Sequence, residues 1–449
     1  MNKAIWIQTL GCPKNEVDGE MIENLLSEAG YKLTEDQNQA DILILNTCGF
    51  IQSAKEESIE EIFNLIALKN QDKRKKVIVC GCLAQRYPKE LWSKLPEVDG
   101  LLGINEIDSA NAVCSAILKG ERISKVSPSI QRILQKRTNG ESKIKRISQK
   151  RPFAYIKIAD GCDNRCSYCA IPTIRGRFRS KRMEHILDEA SQLAERGVKE
   201  INLVAQDTTL YGIDLYGEKR LPQLLSSLSK IPKLKWVRLL YTHPAHFSDE
   251  LIDEIASNPK VCTYVDLPLQ HISDEILKQM RRKVTRKQVE RLIFKLRERI
   301  SDLTLRTSFI VGFPGEEKKH FEELLNFVEE TKFDKLGAFP YSREEGTKAY
   351  SFKGQLSSKL KQERLDQLMF AQQRIAFEKN QTKIGKTFNV LIDNESEEKQ
   401  GLLIGRSQAE APEIDGAILV KGNHSKIGKF VKVKIVDFCD YDLIGEAIL

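Results

Sequence analysis

The chain has 449 residues, of which 41% are hydrophobic and 30% charged, and it carries a formal charge of +8. That length implies roughly two to four domains with separate cores, and the composition excludes a disordered or fibrous protein. No run of eighteen apolar residues occurs, which excludes a membrane-spanning helix, and Met1 leads straight into an amphipathic strand, so a cytoplasmic location without a secretory leader is expected.

Apolar runs at residues 4–10, 41–45 and 76–79 predict strands, with helical patterns at 17–29 and 56–69 between them. This order predicts a small parallel α/β domain over residues 3–119. Residues 120–151 hold ten Lys or Arg against two acids, a local excess equal to the charge of the whole chain. Without sustained apolar periodicity, the stretch reads as a basic linker, residues 120–147, rather than a docking arm for nucleic acid. Strand-like runs then return at 153–158, 201–204, 236–240, 264–267, 305–311 and 336–341, separated by helical patterns. Six βα units predict a partial barrel over residues 148–378, with reactive groups at the carboxyl ends of its strands. After a charged helix at about 357–379, short glycine-punctuated runs at 387–392, 417–421 and 430–436 predict a small antiparallel β-barrel over 381–449. The expected fold class is therefore α/β multidomain with an all-β end.

Ten cysteines in a reducing compartment point to burial, catalysis or metal binding rather than disulfides. Cys162, Cys166 and Cys169 form a C-x-x-x-C-x-x-C loop directly after the first barrel strand. Three thiolates in eight residues can wrap a 4Fe–4S cubane and leave one iron open to a cofactor. A closed zinc site would need a fourth ligand, and the next histidine, His185, lies sixteen residues beyond Cys169. These residues, with the aromatic Tyr168 before the last cysteine, resemble the radical S-adenosylmethionine superfamily. Cys12, Cys48 and Cys82 are thirty-six and thirty-four residues apart, each just after a predicted strand of the first domain. Parallel strands deliver their carboxyl ends to one edge, so these thiols can converge. Cys80 belongs inside its strand, and Cys114, Cys262 and Cys439 read as core residues. The six histidines show no ligand spacing.

Gly11-Cys12-Pro13-Lys14-Asn15 with Asp18, Asn46-Thr47-Cys48 and Gly81-Cys82-Leu83-Ala84-Gln85 resemble the three signatures of the methylthiotransferase family. Gly19 departs from that pattern, which often has serine there. The resemblance covers nearly the whole chain and implies an amino-terminal domain with an auxiliary 4Fe–4S cluster on Cys12, Cys48 and Cys82. It also implies a radical barrel with a second 4Fe–4S cluster and S-adenosylmethionine on Cys162, Cys166 and Cys169, and a terminal TRAM domain. Tyr168, Gln206, Thr242, Gln270 and Arg306 are expected near the S-adenosylmethionine. No side chain can insert sulfur at an unactivated C–H bond, so the cofactors must carry that chemistry, with an electron donor that the sequence leaves unnamed.

The family offers two substrates, an aspartate of ribosomal protein uS12 or an adenosine of transfer RNA. Cys12-Pro13-Lys14-Asn15 resembles the uS12 enzymes, whereas the transfer-RNA enzymes usually read Gln-Met-Asn after the first cysteine. Residues 383–449 carry nine Lys or Arg against eleven acids, which suits a basic ribosomal protein better than RNA. The carboxylates of Glu410, Glu413 and Asp415 are the expected docking groups for uS12 or the small ribosomal subunit, and the enzyme is expected to be a monomer. Against this stands the basic run of residues 175–182, suited to RNA or to a solvated helix start. The rival of another class is a zinc- and RNA-binding module without catalysis.

Overall fold

The computed structural model describes residues 3–127, 151–396, 401–422 and 427–448. Six strands form the first sheet: β1 (Ala4–Thr9), β2 (Lys32–Leu33), β3 (Ile42–Thr47), β4 (Lys76–Gly81), β5 (Gly100–Gly103) and β6 (Ile123–Lys125). All are parallel, in the order β2-β1-β3-β4-β5-β6. Helices cover both faces, so central strands read as unbroken apolar runs. Ile5, Ile44 and Ile78 meet Ile22, Leu26 and Val113 on one face, while Leu43, Leu45 and Val79 meet Ile62 and Leu65 on the other. The sequence predicts three of the six strands. The others lie toward the sheet's edges and span two to four residues, too few for periodicity to show. β6 corrects the start of the predicted linker, because residues 123–125 complete the sheet edge. From residue 128 to 150 that stretch lies outside the described residues.

The second sheet begins with β7 (Phe153–Lys157), followed by a small antiparallel pair, β8 (Ala159–Asp160) and β9 (Arg179–Ser180). It continues with β10 (Glu200–Val204), β11 (Trp236–Leu239), β12 (Val261–Asp266), β13 (Thr304–Val311) and β14 (Lys335–Pro340). The order β14-β13-β12-β11-β10-β7 is open and parallel, the expected partial barrel. Its outer face packs Ile156, Leu203 and Val237 on helix residues such as Ile186, Leu224 and Ile252. The inner face is filled by the neighbouring domains: Phe153, Tyr155, Trp236 and Tyr264 gather with Val17 from the first domain and with Leu391 and Ala411 from the last.

The last unit is a closed barrel of β15 (Thr387–Glu395), β16 (Leu403–Arg406), β17 (Ile418–Lys421), β18 (Phe430–Cys439) and β19 (Asp442–Ala447). It is antiparallel except where β17 pairs with β19, a correction to the expected wholly antiparallel barrel. Cys439 is exposed at the end of β18 and not in a core, the second correction. Among the described residues no helix is long and apolar enough to cross a membrane.

A buried charge network joins this barrel to the second sheet. Glu200, fully buried, accepts from Arg238 Nε at 2.7 Å and from Arg406 Nη1 at 2.7 Å, and Arg406 also grips Asp393 through two bonds of 2.5 and 2.9 Å. Burial opposes ionisation of Glu200, but the two guanidinium groups outweigh it and hold its carboxyl below the usual range. Glu200→Ala leaves buried Arg238 without a carboxylate and Arg406 with Asp393 alone, and should cost about 3 kcal/mol. The check is a lowered thermal midpoint of the cluster-loaded protein, with Glu200→Gln losing less.

Candidate functional site

Cys12, Cys48 and Cys82 follow β1, β3 and β4, adjacent strands of one parallel sheet, at its carboxyl edge. Cys12 caps the helix Pro13–Glu28, Cys48 opens a loop and Cys82 begins the short helix Cys82–Arg86. Gly11 makes the approach possible: its φ is +95°, and a Cβ there would lie 2.8 Å from Cys48 Cβ. Asn15 stitches the edge, donating to the carbonyls of Leu10 at 2.8 Å and of Asn46 and Thr47 at 3.3 Å. Ser58 pins Cys48 through both its backbone N–H and its carbonyl. The departure at Gly19 also has a cause, since a Cβ there would meet Thr9 Oγ1 at 2.2 Å. Burial opposes ionisation of Cys12, but Lys14, Arg175 and local backbone N–H groups leave its thiol below the ordinary value. Burial pushes the Cys48 thiol up to about 11, and it raises that of Cys80, which points into the core.

Cys162, Cys166 and Cys169 lie on the loop after β8. The Ser167 hydroxyl donates to the Gln279 carbonyl at 2.7 Å, and Tyr168 packs on Ile276, Met280, Phe313 and Tyr341. Arg282, buried, has Nη1 3.8 Å from Cys166 Sγ and Nη2 2.5 Å from the Pro268 carbonyl. Burial pushes the Cys162 thiol up to about 12 and that of Cys169 higher still. A trio that the sequence did not reveal orients the loop: Asn164 donates to Asp207 at 2.7 Å, and Asp207 meets His246 Nδ1 at 2.8 Å while His243 stacks on His246. The i, i+3 histidines were the available signal.

Arg175 ties the amino-terminal thiol set to the second domain. It leaves the cysteine loop six residues after Cys169, is 2% exposed, and places Nη2 3.3 Å from Cys82 Sγ and 3.5 Å from Asn15 Oδ1. Its Nη1 pairs with Asp18 at 3.0 Å and with Asp160 at 3.3 Å, and Lys157 binds both of these carboxylates as well. This corrects one member of the basic run, which is neither solvated nor free for RNA. Nearby, Glu344 in the loop after β14 accepts from Arg86 and Lys55 of the first domain, both at 2.8 Å.

A single tetrahedral zinc would hold its sulfurs about 3.8 Å apart. Among the described residues, neither cysteine triad has its three sulfurs within 4.8 Å of one another. Of the residues expected near S-adenosylmethionine, Gln206 is the open one, with neither amide atom hydrogen-bonded to protein. Thr242 spends its hydroxyl on the Asp266 carbonyl, and Arg306 pairs with Asp266 at 2.7 Å and Asp415 at 3.6 Å. Gln270 adopts φ +72° while its backbone bonds to β13. Two of the expected docking carboxylates, Glu410 and Asp415, are corrected, because their side chains are buried. Glu410 is 2% exposed and holds Ser407, Asp415 accepts from Tyr264 at 2.7 Å, and Glu413 pairs with Arg151 at 2.7 Å. Asp415 and Glu413 tie the last domain to the second, Glu410 braces its own domain, and Glu413 alone keeps an exposed side chain.

Residues 4–103 match the Uncharacterized protein family UPF0004, 156–328 the Radical SAM superfamily and 384–448 the TRAM domain. A solved structure of the radical S-adenosylmethionine methyltransferase TsrM from Kitasatospora setae, with cobalamin and a [4Fe-4S] cluster bound, is similar with a TM-score of 0.58. Identity is 15%, and the likeness covers 95% of this chain and 84% of that one, a likeness of fold. The sheet order, the cysteine loop and these matches define a radical S-adenosylmethionine protein. Over 445 residues the chain is 48% identical to the ribosomal protein uS12 methylthiotransferase RimO of Desulforamulus reducens, covering 99% of each. It is 47% identical over 448 residues to that of Heliobacterium modesticaldum, covering 100% of this chain and 96% of the relative. The chain belongs to the ribosomal protein uS12 methylthiotransferase family.

Removing Arg175 leaves Asp18 and Asp160 buried with Lys157 alone between them. Arg175→Ala should therefore destabilise the protein by about 3–5 kcal/mol, and Arg175→Lys should recover only part, since one ammonium cannot reach both carboxylates, the amide and the sulfur. Thermal unfolding of the three proteins side by side checks this.

Proposed function

We propose that this chain is a methylthiotransferase that modifies the β-carbon of an aspartate in ribosomal protein uS12, using S-adenosylmethionine and two 4Fe–4S clusters. Cys162, Cys166 and Cys169 hold the cluster that receives S-adenosylmethionine, and Cys12, Cys48 and Cys82 hold the second. The observation that carries this reading is the presence of two separate three-thiol sets, one at the carboxyl edge of the first sheet and one on the loop after β8, with Arg175 linking Cys82 to Asp160 beside that loop. When bound, these groups supply the one-electron and sulfur chemistry that no side chain can perform. The protein's residues do the placing. Arg175 and Arg282 bring positive charge to Cys82 and Cys166, where it stabilises thiolate ligands. Tyr168, Phe313 and Tyr341 wall off one side of the cysteine loop from water. The unpartnered amide of Gln206, at the end of β10, is free to meet S-adenosylmethionine.

The substrate rests on the family and on the charge of the last domain, whose nine bases and eleven acids over residues 383–449 give it no RNA-binding excess. Anaerobically reconstituted protein should bind about eight irons. A triple Ala variant at either cysteine triad should keep about half, and Cys80→Ala should keep all. Iron lost from the Cys80 variant would mean that the wrong thiol is assigned. Incubated with uS12 or with unmodified transfer RNA, the enzyme should add a methylthio mass to the protein; the mass on RNA alone would overturn the substrate.

A further inference from the structure

Lys14 is a buried amine that the protein leaves without a carboxylate partner of its own. It stands two residues after Cys12 in the first turn of Pro13–Glu28 and is 7% exposed. Its ammonium sits 3.1 Å from the centre of the Tyr241 ring, at the carboxyl end of β11. Among the described residues it makes no hydrogen bond and no ion pair with a carboxylate; its charge faces the Tyr241 ring and the Cys12 thiol.

The carboxylates around it are already taken. Asp266 accepts from Arg306 Nη1 at 2.7 Å and from the Tyr241 backbone N–H at 2.8 Å. Asp160 and Asp18 are held by Arg175 and Lys157. A buried amine that faces a π ring and a thiol but makes no hydrogen bond retains unused donors in a low-dielectric setting, which favours an incoming anion. The place is the mouth of the partial barrel, next to Cys12.

We propose that Lys14 is the specificity-determining residue that receives the side-chain carboxylate of the substrate aspartate. The inference rests on the uS12 reading above. In aspartate the carboxylate carbon is bonded directly to the β-carbon that is modified. Fixing the one therefore brings the other to the Cys12 triad within a single bond length of freedom. It also gives the site a means of rejecting neutral side chains, because asparagine in the same pose would leave the amine without its counter-charge.

The test compares binding of uS12 with that of uS12 whose modified aspartate is replaced by asparagine, using cluster-loaded enzyme in the presence of S-adenosylmethionine. Wild-type enzyme should prefer the aspartate form by at least about 30-fold, the scale expected for a buried charge pair. Lys14→Met should bring the ratio close to one, and Lys14→Arg should restore part of it. A Lys14→Met enzyme that keeps the preference would overturn the proposal. So would a parallel loss of substrate-free S-adenosylmethionine cleavage, which assigns the amine to that cofactor's own carboxylate. Loss of iron from the amino-terminal triad would likewise overturn it, by making support of the Cys12 thiolate the role of Lys14. Failure of wild-type enzyme to modify uS12 at all is a different result, and it removes the substrate reading itself.

Discussion

One buried guanidinium governs how this molecule is put together. Taking a charge out of water costs several kcal/mol, and the cost is offset only where good partners surround it. Arg175 meets that condition with two carboxylates, an amide oxygen and a sulfur, drawn from both large domains. Asp18 and Asn15 come from the helix that starts at Cys12, whereas Asp160 precedes Cys162 by two residues. The distance between the two thiol sets is therefore set by side chains that cannot separate without exposing unpaired charge. Lys157, shared by the same carboxylates, makes the arrangement a closed square of two cations and two anions.

Much of this was legible in the chain, and for specific reasons. The cysteine loop is local, so its eight residues carry their own meaning. Cys12, Cys48 and Cys82 were legible through topology, because parallel strands bring their ends together whatever the intervening length. The long buried strands announced themselves by apolar runs, while β2, β5 and β6 were too short to do so. Arg175 was misread as part of a basic surface run, since nothing in local sequence says that an arginine will point inward. The trio of Asp207, His243 and His246 was missed because its aspartate lies on a different strand end from its histidines.

The last domain shows how composition misleads about orientation. Its acidic balance was real, but Glu410 and Asp415 are spent inside the molecule, against Ser407, Tyr264 and Arg306. The partial barrel requires this. Its inner face presents Tyr155, Trp236 and Tyr264 with no helix of its own to cover them, and the segment around Pro412 closes that gap, accepting from the Tyr155 hydroxyl at 3.0 Å. Charge counts measure a domain's sum, whereas recognition depends on which members of the sum face outward.

The two thiol triads differ in how far apart their members lie along the chain, and that difference orders their history. Cys162, Cys166 and Cys169 can meet as soon as one short loop is synthesised. Cys12, Cys48 and Cys82 cannot meet until β1, β3 and β4 have paired, which closes loops of more than thirty residues twice over. Arg175 reaches Cys82 later still, after both sheets exist. The amino-terminal thiols are thus brought together by the pairing of the sheet, whereas those of the loop are neighbours in the chain from the start.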